Sequence, residues 1–162
     1  MKKIITIIIF FIPFFTFSQG GEKKTIDWIS LEKAEKFAKK YNKNMLLFFY
    51  RPGCDYCDKM KKETLTDPQI IQKINQNFLP VMLNGKGKEP IIYNKKTYVN
   101  DHPNPKDAPW RHNLYFELVD PVRGNYYWPD VVIINSQYKK LTQFPGFQSK
   151  EQLIRNLNRF IK

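Results

Sequence analysis

Met45-Leu46-Leu47-Phe48-Phe49-Tyr50-Arg51-Pro52-Gly53-Cys54-Asp55-Tyr56-Cys57-Asp58-Lys59-Met60 decides the fold. Its first six residues form an unbroken apolar run, the mark of a strand covered on both faces. From Asp55 to Leu65 the chain carries Lys, Glu and Met but no Pro or Gly, and so predicts a helix. Pro52-Gly53 supplies the bend between the two. Cys54 and Cys57 are the only cysteines in the chain. A dithiol at a strand-to-helix turn puts its first sulfur at a helix N-terminus, where unpaired N–H groups and the positive end of the dipole favour a thiolate. That placement points to thiol–disulfide exchange.

Residue types alone leave other readings of the pair open. A structural disulfide closing so short a loop constrains the unfolded chain by only about 2 kcal/mol, against about 3 for a 15-residue loop. A structural zinc site would need His102 and His112 to join the two cysteines, in a spacing that fits no common finger pattern. A bare Cys-x-x-Cys also arises by chance. The decision rests on the surrounding chain.

A length of 162 residues suggests one domain. Residues 1–18 read as a secretory signal peptide. Lys2-Lys3 form the positive end, Ile4 to Phe17 the apolar stretch, and Thr16-Phe17-Ser18 a small-x-small cleavage site before Gln19. The apolar stretch is shorter than the roughly 20 residues of a spanning helix, and Pro13 interrupts it, so stable membrane insertion is not expected. Nor does this segment hold a cysteine to carry a lipid. Export implies an oxidising compartment, most simply a bacterial periplasm. Secreted domains that depend on disulfides for stability usually carry several; this chain has 42% apolar and 15% aromatic residues with which to build a core. Its formal charge of +12, which includes Lys2 and Lys3, raises the question of nucleic acid. The lysines are scattered and no binding motif accompanies them, so they read as a solvated surface.

In order, Ser30 caps a helix to about Tyr41, with Leu31, Ala34, Phe37 and Ala38 on one face. Asp67-Pro68 starts another that carries Ile70, Ile71 and Ile74. Phe78 to Leu83 is a second strand. Residues 84–125 form an insertion: Ile91–Tyr93 and Thr97–Val99 make a β-hairpin around Asn94-Lys95-Lys96, His102–Pro105 is turn material, and Asp107 caps a helix from Pro109 through Trp110, Leu114 and Leu118. Tyr126 to Asn135 reads as a buried strand. Pro129 near its start suits a cis peptide bond at the strand entrance, leaving the Trp128 backbone unpaired. Lys140–Phe144 pairs with it, Pro145-Gly146 ends that strand, and Ser149 caps a last helix presenting Leu153, Ile154, Leu157, Phe160 and Ile161.

This order, together with the Cys-x-x-Cys and the proline-led strand, resembles the thioredoxin superfamily over roughly Trp28 to Ile161. It is most similar to exported bacterial thioredoxin-like proteins, through His112-Asn113-Leu114, Tyr127-Trp128-Pro129 and Pro145-Gly146-Phe147. The resemblance implies a thioredoxin-like α/β fold: a mixed sheet of about four strands flanked by helices, with the inserted hairpin and helix, over residues 19–162. It also implies roles. Cys54 is the exposed nucleophile and Cys57 the buried resolving thiol. Pro129 packs against the sulfurs, and the Trp128 backbone pairs with an extended peptide like an added strand. No cofactor or metal is required. The implied partners are protein thiols and disulfides and an upstream redox donor, met by a monomer in the periplasm.

Departures from thioredoxins proper bear on redox tuning. Gly53 replaces the tryptophan before the first cysteine, and Asp55-Tyr56 replaces Gly-Pro between the two. Phe48 stands where thioredoxins keep a buried acid six residues before the nucleophile. Asp55 and Asp58 should raise the Cys54 pKa, while Arg51, Lys59 and the helix dipole lower it. His112 is either a proton shuttle or, on an amphipathic helix, a packing or capping residue. The competing functions are a non-catalytic binding module that uses the Trp128–Pro129 groove, and a metal carrier through Cys54 and Cys57.

Overall fold

The computed structural model describes residues 25–101 and 110–161. The signal segment at 1–18, the turn at His102–Pro105 and the Asp107 cap therefore lie outside the described residues.

Within them, helix α1 (Leu31–Tyr41) leads into β1 (Asn44–Tyr50), then α2 (Asp55–Lys59), which continues as one π-helical turn, Met60–Thr64. Helix α3 (Pro68–Asn77) and β2 (Phe78–Asn84) follow. Next come β3 (Ile91–Tyr93), β4 (Lys96–Tyr98) and α4 (Asn113–Leu118); β5 (Asp130–Ile134), β6 (Lys140–Pro145) and α5 (Lys150–Leu157) follow. The sheet order is β2-β1-β5-β6. β1 lies parallel to β2, with Tyr50 opposite Asn84, and antiparallel to β5, with Phe49 opposite Asp130. β5 and β6 are antiparallel, with Asp130 opposite Pro145.

Strand alternation sorts the core into two layers. Met45, Leu47 and Phe49 face one side with Leu79, Val81, Leu83, Val132 and Ile134, where α1, α4 and the hairpin tyrosines Tyr93 and Tyr98 cover them. Leu46 and Phe48 face the other with Val131, Ile133 and Met60, covered by Ile70, Ile71 and Ile74 of α3 and by Leu153 and Leu157 of α5. Burying each of the three isoleucines stabilises by roughly 1.5–3 kcal/mol. The expected caps are in place. Ser30 Oγ accepts from Lys33 N–H, Asp67 Oδ1 from Gln69 and Ile70 N–H, and Ser149 makes a reciprocal capping box with Gln152.

Four expectations need correction. The hairpin turn holds two residues, not three: Asn94 and Lys95 both take left-handed φ (48° and 65°), the mirror-image turn whose twist suits a hairpin, so the second strand begins at Lys96. Helix α4 is shorter than expected and begins at Asn113, because His112 rather than an upstream aspartate caps it; Trp110 precedes it. Strand β5 starts at Asp130; ahead of it the Tyr126 and Tyr127 carbonyls bond to Arg111 and Tyr115 and not to the sheet. Helix α5 ends at Leu157, while Phe160 and Ile161 pack on the same layer from beyond it.

Candidate active site

The dithiol sits where the strand-to-helix reading placed it. Gly53 takes a left-handed φ of 64°, and Arg51 Nη1 donates to the carbonyls of Gly53 (2.9 Å) and Pro52 (3.3 Å), which fixes the bend after β1. Cys54 is then the N-cap of α2. Its Sγ accepts from the Cys57 backbone N–H at 3.1 Å, while its carbonyl receives Asp58 N–H. The two cysteines form a disulfide with Cα atoms 5.2 Å apart. An exposed Cys54 was expected; in the disulfide it is only 4% exposed, because capping turns its side chain back onto the helix, and Cys57 is fully buried. Between them Asp55 is exposed and Tyr56 is 64% exposed. Asp58 pairs with Lys61, and Lys59 lies 5.0 Å from the Phe147 ring centre and 3.9 Å from Glu63.

The Trp128–Pro129 peptide bond is cis. The antiparallel register brings this loop to the dithiol's end of the sheet: Phe49 lies opposite Asp130, so β1 leaves the sheet toward Cys54 where β5 enters from Pro129. Two further segments reach the same end. Gly85 N–H, just past β2, donates to Tyr50 O, and Gly146 N–H, just past β6, donates to Pro129 O. The Trp128 side chain turns inward, its ring 4.5 Å from that of Tyr115 and close against Gly85. Tyr127 points outward, 41% exposed. Among the described residues, no hydrogen bond takes up the Trp128 backbone N–H or carbonyl.

A family model for a thioredoxin-like domain matches residues 31–161. The chain belongs to the thioredoxin-like family.

Solved structures agree on the fold. A DsbH oxidoreductase is 16% identical with a TM-score of 0.54, over 85% of this chain and 88% of that one. A thioredoxin from Thermus thermophilus is 13% identical (TM-score 0.56; 83% and 86% covered), and a disulphide isomerase from Xylella fastidiosa Temecula1 is 19% identical (0.54; 79% and 86%). No curated protein sequence matches it.

Within this thioredoxin-like site two residues answer questions the sequence left open. His112 is a cap: it is buried, its Nδ1 accepts from Leu114 N–H at 3.1 Å, and its Nε2 lies 3.2 Å from Glu89 O. An Nε2–H tautomer satisfies both partners, and burial lowers its pKa, which keeps it neutral. With both nitrogens engaged by backbone, His112 is not placed to ligate a metal alongside the cysteines. Asp130, directly after the cis-proline, was missed. It is 1% exposed, and neither carboxyl oxygen has a hydrogen-bond partner among the described residues. Burial pushes its pKa up to about 8, with the Lys140 ammonium pulling the other way. Its signal was legible as the one charge among the apolar residues that follow Pro129.

Proposed function

We propose that this protein is a thiol–disulfide oxidoreductase that exchanges disulfides with exported protein clients. The carrying observation is that the helix-capping dithiol and the cis-proline loop meet at one end of the sheet, with the Trp128 backbone unengaged beside them. In the reducing direction the Cys54 thiolate attacks a client disulfide. A Cys54–client disulfide forms and one client thiolate leaves. Cys57, deprotonated, then attacks Cys54 Sγ, expelling the second client thiolate and closing the Cys54–Cys57 disulfide; two electrons have passed to the client. An upstream dithiol returns them. The steps run backwards for oxidation.

Client docking follows from the unengaged Trp128 backbone, which offers one donor and one acceptor to an extended peptide. Tyr56 and Tyr127 offer apolar surface beside it. Asp55, adjacent to Cys54, and Tyr56 tune the thiolate. The expected signal at residues 1–18, and a single pair of cysteines in a chain otherwise stabilised by its core, support a periplasmic monomer. Residues 84–125 act as an insertion on the domain of residues 19–162.

The test is a paired substitution assayed by insulin reduction. Cys54→Ser should abolish exchange, and Cys57→Ser should accumulate mixed disulfides visible on a non-reducing gel. Wild-type turnover in both variants would refute the assignment.

A further inference from the structure

We infer that Tyr115, in the insertion helix α4, is a positioning residue that sets the client-binding backbone of the cis-proline loop. The inference rests on the function proposed above and assigns part of the insertion a task in it.

Tyr115 is fully buried, and its ring stands edge-on to Phe49 of β1, with centroids 5.3 Å apart at 82°. From that anchor its hydroxyl donates to the Tyr127 carbonyl at 2.9 Å. Burial and the nearby Asp130 raise the phenol's pKa against the opposing pull of Arg111, so the group remains a donor throughout the physiological range. One residue earlier in the loop, the Tyr126 carbonyl accepts from Arg111 Nη2 at 3.3 Å. One residue later, the Trp128 indole is clamped between Tyr115 and Gly85, where even a methyl group on Gly85 would approach the indole to 2.2 Å. Gly85 is itself tied down, giving its N–H to Tyr50 and accepting from His112 N–H.

The insertion therefore grips two successive carbonyls and one side chain immediately ahead of Pro129. What it leaves ungripped is the Trp128 backbone. A peptide that adds to this loop as a strand needs that N–H and carbonyl aimed outward before it arrives, since ordering them on binding costs affinity. Packing alone does not account for the hydroxyl. Tyr93, buried in the same layer, has a hydroxyl with no hydrogen-bond partner among the described residues. The Tyr115 hydroxyl is instead aimed at the loop.

Tyr115→Phe in the full chain removes the hydroxyl, with its bond to the Tyr127 carbonyl and its contact with Arg111, and keeps the ring. The expected result is a KM for a protein disulfide raised roughly 3- to 10-fold with kcat nearly unchanged. The rate at which dithiothreitol reduces Cys54–Cys57, and the equilibrium with glutathione, should match wild type, because a small thiol needs no strand pairing. Hydrogen exchange should quicken in the peptide spanning residues 125–131 and not in the β1 peptide. Tyr93→Phe, the matched control, should leave KM and exchange in the loop unaltered. An unchanged KM in Tyr115→Phe, or an equal loss of dithiothreitol reactivity, overturns the inference while the oxidoreductase reading stands. A wild-type protein inert toward protein disulfides overturns both. If Tyr115→Phe is too unstable for kinetics, exchange at residues 125–131 below its unfolding midpoint decides the matter, unquickened exchange counting against.

Discussion

Asp130 should make this protein lose stability as pH rises through neutrality. Its carboxyl is buried without a hydrogen-bond partner among the described residues, and its pKa is raised to about 8. In the unfolded chain the same group ionises near 3.9. Between those values the folded state holds a proton that the unfolded state has released, so the unfolding free energy falls with pH at about 1.4 kcal/mol per unit. The contribution is complete below the unfolded pKa and gone above the folded one. Over the whole interval that is about 6 kcal/mol, an upper figure because relaxation around the charge reduces it, yet comparable with the stability of a small domain. Asp130→Asn cannot titrate. Urea unfolding of both proteins at pH 5, 6 and 7, with the disulfide intact, isolates the effect, since groups common to both cancel in the difference. The wild type should lose about 2–3 kcal/mol relative to the variant from pH 5 to pH 7. The buried amide adds its own cost, which does not depend on pH, so the slope and not the offset carries the test. Parallel curves would mean that Asp130 ionises normally, and that the burial argument for its protonation is wrong.

Two other substitutions probe the structure around the site. Gly85→Ala places a methyl 2.2 Å and 2.7 Å from atoms of the Trp128 indole, so the ring must move; a loss of about 1–3 kcal/mol in urea unfolding and an altered near-ultraviolet tryptophan band are expected, and an unchanged midpoint would contradict the close approach. His112 has a pKa lowered by burial, so the unfolded state takes up protons first as pH falls below 6.5 and the fold loses stability there. Asparagine, a good cap that does not titrate, should abolish that acid sensitivity when thermal melts at pH 5 and pH 6.5 are compared, whereas an equal acid loss in His112→Asn would place the sensitivity elsewhere.

Much of the fold was legible because its signals are local. Ser30, Asp67 and Ser149 satisfy orphan N–H groups in their own first turns, and the apolar run at Met45–Tyr50 has only one place in a sheet, its middle. What the sequence did not yield depends on distant partners. Tyr126–Trp128 are β-prone and apolar, and read as strand; they stay out of the sheet, with the Tyr126 and Tyr127 carbonyls taken by Arg111 and Tyr115. Trp110 fits the stripe of α4, yet His112 caps the helix after it. The hairpin slipped by one residue because Lys95 takes a left-handed φ that its residue type does not advertise.

The candidate site divides along the same line. Cys54, Cys57 and Pro129 are motif residues, and their meeting follows from an antiparallel register that the order of elements already implies. Asp130 belongs to no motif, and strand parity explains why it does not stand in for the acid absent at Phe48. Phe48 faces the layer that holds Met60, Val131 and Ile133, on the dithiol helix's side of the sheet. Asp130 lies opposite Phe49, on the side of Val132 and Ile134, with Tyr115 of α4 above it. At that parity the Asp130 carboxyl faces away from the dithiol helix. It enters instead the layer from which Tyr115 reaches the cis-proline loop, where burial favours its neutral form against the pull of Lys140.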